Sequence, residues 1–215
     1  MNTVTKSEKV QLLKTETLKV RLTFTSNYLG TAPMDEEVYA LYIAQKATKK
    51  SREEEQDVVR DMGKFEEKGW TRILRDKTGL FLSNHMLKGF LKHAGLVLAQ
   101  AHGIKAMASK IDDVVTVNPR FLYLQRDGKK ILQEDGVNER PIRMMTPQGP
   151  RVSLIRSDEI KAGAYLDAEI QLLLAARKGE VTLPLIRGLL DYGQINGLGQ
   201  WRNGGYGQFT WEEME

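Results

Sequence analysis

The stretch from Gly193 to Gly207, GQINGLGQWRNGGYG, constrains the fold more than any other part of the chain. Six of its fifteen residues are glycine, none is acidic, and one arginine and two large aromatics stand among them. Glycine at this density admits positive φ and close backbone approach, and ordering it costs more conformational entropy than ordering any other residue. Two arrangements repay that cost. One is a tight connection between two elements; the other is a loop whose exposed amide N–H groups cradle an anion such as a phosphate. A helix-like segment precedes the loop and a short aromatic strand, Gln208 to Trp211, follows it.

The remaining segments can be read around that loop. Leu18 to Thr25 alternates, with Leu18, Val20, Leu22 and Phe24 on one face and Lys19, Arg21, Thr23 and Thr25 on the other, the period of a half-buried strand. Met34 to Ala47 reads as a helix, and Ser51 to Lys68 is charge-dense, the composition of a solvated helical face. Trp70–Leu74 and Gly79–Ser83 flank turn residues and predict a hairpin. Ser83 or Asn84 is placed to cap a helix running to about Ala101, on which Met86, Leu87, Phe90, Leu91, Ala94, Val97 and Leu98 form an apolar stripe. Lys88 and Lys92 stand one turn apart outside that stripe.

Strand-like segments follow at Val114–Val117 and Arg120–Leu124. Arg126 to Ile160 then has little regular patterning and many turn residues, with Arg140, Arg143, Arg151 and Arg156 spread through it. A long connection of this kind inside a compact domain is often functional. Ala164 to Leu172 returns to strict alternation. Thr182 caps a last helix with Pro184 in its first turn, and Gly193 is placed to stop it. The reduced order is β-α-β-β-α-β, an α+β, ferredoxin-like (RRM-like) core with helices on one face. Two insertions interrupt it, a helical one at residues 30–78 and another at 126–160.

Length and composition bound the function. The 215 residues suit one domain carrying insertions. A net charge of +4 permits a nucleic-acid partner without requiring one. The absence of cysteine excludes disulfides, thiolate catalysis and cysteine zinc sites. His85, His93 and His102 lack the pattern of a metal site, so neither metal nor cofactor is expected. No apolar run reaches the roughly 18 residues a membrane span needs, and the polar start lacks a signal-peptide core. The expectation is a soluble, cytoplasmic protein with no membrane partner.

Three stretches in order carry a family resemblance. Gly197 to Phe209 resembles the glycine-rich loop between second helix and last strand in the RAMP superfamily, the RNA-binding proteins of class 1 CRISPR effector complexes and their crRNA-processing relatives. Gly79 to Lys92 is similar to the family's strand leading into a "GSSLKG" helix start, with Leu87-Lys88-Gly89 matching and Asn84-His85 departing from it. Ile160 to Leu172 resembles the strand before the second helix. The resemblance covers about half the chain, and the two insertions lie outside it.

The resemblance implies that single-stranded, guide-like RNA is held by its phosphates along a groove, and that the protein self-associates or joins other effector-type subunits. Residues carried over as phosphate contacts are Lys88 and the glycine loop, Gly197, Gly199, Gly205 and Gly207, with Arg202. Residues 126–160 correspond to a β-hairpin "thumb", which brings in Arg140, Arg143 and Arg151, and Lys92 extends the helix face. Trp201 and Tyr206 are candidates for stacking on bases, with core packing equally open for Trp201. Asp35 lies about where family members that cut RNA carry an aspartate, although favourable charge at a helix N-terminus also explains it. His85 is the histidine placed for acid-base work. An endoribonuclease using Asp35 or His85 is therefore one alternative. A protein that mimics an effector subunit and stalls a host complex is the other, and a small phosphate ligand under the loop is a third use of the same geometry.

Overall fold

The computed structural model describes residues 14–33, 70–101, 105–146, 149–174 and 181–215. In chain order the elements begin with β1 (Thr15–Phe24), β2 (Tyr28–Leu29), β3 (Ala32–Pro33), β4 (Trp70–Arg72), β5 (Leu74–Arg75) and β6 (Leu80–Ser83). Next come α1 (Asn84–Ala101), α2 (Met107–Val114), β7 (Val115–Asn118), β8 (Phe121–Tyr123), β9 (Gln125–Arg126) and β10 (Lys129–Lys130). The chain closes with β11 (Gly136–Thr146), β12 (Gly149–Ile160), β13 (Tyr165–Leu173), α3 (Leu183–Asp191) and β14 (Phe209–Glu213). The expected helix at 34–47, the charge-dense segment at 51–68 and Asp35 lie outside the described residues.

Alternation in β1 and β13 builds a sheet with one dry and one wet face. The strands run antiparallel in the order β7-β13-β1-β14, and β9 and β10 continue past the far end of β13. The register sets Leu18 opposite Ile170, Val20 opposite Ala168 and Leu22 opposite Leu166, all buried. A one-residue slip would turn each of these to solvent, so burial itself fixes the register. The other face pairs Lys19 with Glu169 and Arg21 with Asp167. Arg21 reaches the Asp167 carboxylate with two hydrogen bonds, 2.8 and 3.0 Å, and lies 4.2 Å from the Tyr165 ring centroid.

Helices α1 and α3 cover the dry face. The predicted stripe of α1 buries Leu87, Phe90, Leu91 and Ala94 as expected, whereas Val97 near its end is exposed. Phe90 meets Phe209 of β14 edge-on, with ring centroids 5.1 Å apart. Thr182 caps α3 by accepting from the Leu185 amide, at 3.4 Å. The α-helix ends at Asp191, where Gly193 is placed to stop it, and the chain tightens into a 3₁₀ turn, Tyr192–Gln194. Gly193 does not take the left-handed conformation of a helix-ending glycine; it is buried against the Phe209 ring, which a Cβ would strike.

Helix α2 was not legible in the sequence, since two turns give too short a pattern for a period to show. It buries Met107, Ile111 and Val114, and Val114 ends this helix rather than starting a strand. Gly95 of α1 leaves the space that Ile111 and Met107 fill.

Two further sheets carry the insertions. The hairpin expected between 70–74 and 79–83 forms only in part: β5 pairs with β6, while Trp70–Arg72 leaves it and runs parallel to β12. The chain changes sheets at Ile73, whose amide donates to the Asp158 carboxylate at 3.1 Å. Residues 136–160, which lack clear alternation, form a long hairpin of β11 and β12, registered from Gly136 opposite Glu159 to Thr146 opposite Gly149. Pro141 and Pro150, and arginine on both faces, hide this strand pair from a period-two reading. The Asp127–Gly128 turn closes the small β9–β10 hairpin, with φ of 51° and 73°.

Glycine substitutions separate close packing from helix propensity. Gly193→Ala is expected to lower stability by about 1–3 kcal/mol through overpacking against Phe209. Gly89→Ala, on an open face of α1 with nothing near the new methyl group, is expected to raise it by roughly 0.5–1 kcal/mol. Urea denaturation of the two variants beside the parent checks both signs.

Candidate functional site

The glycine loop folds back on itself and docks against the root of the β11–β12 hairpin. Gly197 and Gly207 sit back to back, each where a Cβ would collide with the other's segment, and the Leu198 amide donates to the Gly207 carbonyl at 2.8 Å. The Gly207 amide donates to Asn27 and the Gln200 amide to Leu29, at 2.8 and 3.3 Å. Gly204 and Gly205 donate back to Trp201 and Arg202 within the loop. Gly199, Gly205 and Gly207 have φ of 90°, 83° and 71°, the left-handed region that glycine enters freely. The amides of 198, 200, 204, 205 and 207 are thus used inside the protein, the first of the two arrangements expected of this sequence.

Gln200 is the node of the docking. Its side-chain oxygen accepts from Arg140 Nη2 at 2.8 Å, from Ser157 Oγ at 3.0 Å and from Thr71 Oγ1 at 3.2 Å. Loop, hairpin and β4 therefore converge on one amide. Arg140 is 8% exposed, and its other acceptors are Asn138 Oδ1 at 3.2 Å and Ser157 Oγ at 3.3 Å. Every one of these acceptors is neutral. Among the described residues Arg140 has no carboxylate partner, and burial pulls its guanidinium below the ordinary arginine range. Arginine still keeps its charge. A buried charge without a counter-charge is costly, and such departures cluster at functional sites.

Above this guanidinium lies an aromatic pair. Trp201 stacks on Tyr206 with centroids 5.2 Å apart and planes 13° from parallel, and the Arg140 guanidinium carbon lies 4.8 Å from the Trp201 ring centre. Asn138 Nδ2 donates to the Tyr206 hydroxyl at 3.2 Å. Trp201 remains 46% exposed and has φ of 52°, a conformation that costs a bulky residue roughly 1–2 kcal/mol. Core packing does not account for a strained tryptophan at the surface.

The hairpin root is held rigid by charge. Asp158 is fully buried and accepts from Trp70 Nε1 at 3.0 Å, the Ile73 amide at 3.1 Å and Arg75 at 3.3 Å, with Arg72 Nε at 3.7 Å. Burial pushes its carboxyl up, against the Ile73 amide and Arg72, which pull it down. Asp135 binds Arg126 through both oxygens, at 2.9 and 2.7 Å, and takes the Lys161 amide at 2.8 Å. The Arg126 hydrogen bond holds the Asp135 carboxyl below its ordinary value.

The other sequence candidates fall elsewhere. Lys88 and Lys92 both close on Asp112 of α2, at 3.3 and 3.0 Å, and Lys88 also donates to the Asp112 carbonyl. Their described contacts tie two helices together. His85 is exposed in the first turn of α1. Arg143 is exposed, and by alternation lies on the opposite face of β11 from Arg140. Arg151 stands opposite Met144 near the hairpin tip. Arg202 is half-buried in a 3₁₀ turn, Arg202–Gly204. Sequence reasoning missed Gln200, Asn138, Ser157 and Thr71. Only the spacing of Asn138 and Arg140, two apart on a strand, carried any signal.

No group of three or more histidine or acidic side chains among the described residues is placed to hold a metal ion. No described helix is long and apolar enough to cross a membrane. Removing the Gln200 acceptor by Gln200→Leu is expected to cost about 1–3 kcal/mol, because Arg140 loses its shortest hydrogen bond where water cannot replace it; urea denaturation measures this. Asp135 adds stability above its unfolded pKa, near 3.9, and that stability is lost as pH falls through the lower folded value. Between pH 7 and pH 3, Asp135→Asn is therefore expected to lose less stability than the parent in paired melts. No protein-family model matches the chain, and no curated protein sequence matches it significantly.

Proposed function

We propose that this is an RNA-binding protein of RAMP type that holds single-stranded, guide-like RNA by its phosphate backbone at the junction of the glycine loop and the β11–β12 hairpin. The observation that carries the reading is Arg140, a buried guanidinium with only neutral acceptors, beside a loop that contains no acid. Its uncompensated charge favours an anion at this junction, and part of its donor fork is left for a further acceptor. Residues 140–155 add Arg143 and Arg151, again with no acid among them.

The sheet order β14-β1-β13-β7, with α1 and α3 in the two crossovers, supports a ferredoxin-like core. We read the hairpin 136–160, which lies within the 126–160 stretch, as the thumb that the RAMP resemblance implies. The open sheet face carries Asp167, Glu169 and Glu212 beside Lys19 and Arg21, and its acids repel a polyanion. That directs nucleic acid to the loop and hairpin instead. Phosphate contacts of this kind give affinity without reading sequence.

A protein partner is the second reading, and one observation favours it: Val152 and Leu154 on the hairpin are 69% and 60% exposed, apolar surface for which a phosphate backbone has no use. Self-association along RNA and docking onto other effector-type subunits would both cover it.

Anisotropy of a labelled oligo(U) titrated with protein at several salt concentrations tests the first reading. The parent is expected to bind with a steep salt dependence. Gln200→Glu, which supplies Arg140 with a carboxylate, and Arg202→Ala are each expected to weaken binding, and each lost phosphate contact lowers the log–log salt slope by about 0.7. Negligible binding by the parent at low salt sinks the RNA reading and leaves the protein-partner one.

A further inference from the structure

The aromatic pair at the loop is built as a platform. Trp201 is an exposed ring in a left-handed conformation, held where glycine or asparagine would sit without strain. Tyr206 stacks parallel to it, and its hydroxyl accepts from Asn138. Gly204 leaves room for the Trp201 ring, since a Cβ there would lie 2.8 Å from ring atom Cε2. The Arg140 guanidinium carbon lies 4.8 Å from its ring centre, a cation–π contact. Four neighbours thus hold a pair of flat rings, of which Trp201 is 46% exposed, so the ordering entropy of a stacking partner's seat is largely spent before any ligand arrives.

We propose that the Trp201–Tyr206 pair is a nucleobase seat, so that the site takes one nucleotide unit with its base stacked on the aromatics and its phosphate drawn by Arg140 and Arg202. The inference rests on the phosphate-binding reading and adds to it that the ligand must carry bases. Stacking of this kind tolerates any base, because each has a π face. The site therefore separates nucleic acid from other polyanions without distinguishing sequences.

The test compares oligo(U) with an inorganic polyphosphate of equal phosphate number at the same salt, by competition and by tryptophan emission. The parent is expected to prefer oligo(U) by about fivefold or more, with emission quenched by oligo(U) alone. Trp70 and Trp211 are tied through their indole nitrogens to Asp158 and Asp191, so Trp201→Gly should abolish the quenching as well as the preference. Glycine suits the backbone angle at 201, which protects the fold of that variant, and Tyr206→Leu gives an independent second variant expected to reduce the preference. If oligo(U) binds but outcompetes polyphosphate equally well in Trp201→Gly, the base seat is wrong and the phosphate reading survives. If the parent prefers neither, or binds polyphosphate as well as oligo(U) without quenching, the seat is likewise overturned. Failure to bind either at low salt removes the phosphate reading and the seat together.

Discussion

A buried guanidinium without a counter-charge is the constraint on which the site depends. Arg140 sits in the hairpin, but three of the groups that satisfy it, Gln200, Ser157 and the Trp201 ring, come from the loop and from the opposing strand. Separating the loop from the hairpin would leave the charge desolvated and its donors unmet, which is costlier than losing an ordinary surface contact. The loop conformation, the strained Trp201 and the hairpin root are therefore one cooperative unit. A carboxylate in place of the Gln200 amide would neutralise the charge. The neutral amide leaves it uncompensated.

Around that unit the molecule separates its jobs. The main sheet supplies the core through one face, where Leu18, Val20, Leu22 and Phe24 meet α1 and α3. Its other face is occupied by ion pairs such as Arg21–Asp167, which suit solvent better than a polyanion. The second sheet, rooted on Asp158, holds the hairpin against the loop. Asp158 is destabilised by its own burial but is surrounded by Trp70, Ile73, Arg72 and Arg75. It fixes where the chain leaves one sheet and enters another.

Period-two alternation at 18–25 and 164–172 and the stripe on α1 were legible because each is long enough for burial to impose a period. The cap at Thr182 was legible because capping is a local hydrogen bond. The hairpin 136–160 was not legible from periodicity, since its strands are interrupted by proline and stabilised by cross-strand pairing; only the family resemblance led to the expectation of a hairpin within 126–160. Lys88 and Lys92 look like a free basic pair in sequence and meet Asp112 only after α2 folds beside α1. The helix end before Gly193 was legible, but the reason for a glycine there was not: it makes room for a ring from β14, sixteen residues on.

The sequence by itself determined an α+β chain, the core faces of β1, β13 and α1, and the glycine loop as the place where backbone must come unusually close to something. Local periodicity and composition suffice for these, because they reflect each segment's own partition between water and core. Tertiary structure alone decided what the loop approaches, which is its own backbone and the hairpin root, and that Gln200, Arg140 and Trp201 meet. Those contacts join residues from distant parts of the chain, and their energetics come from shared desolvation, which no single segment contains.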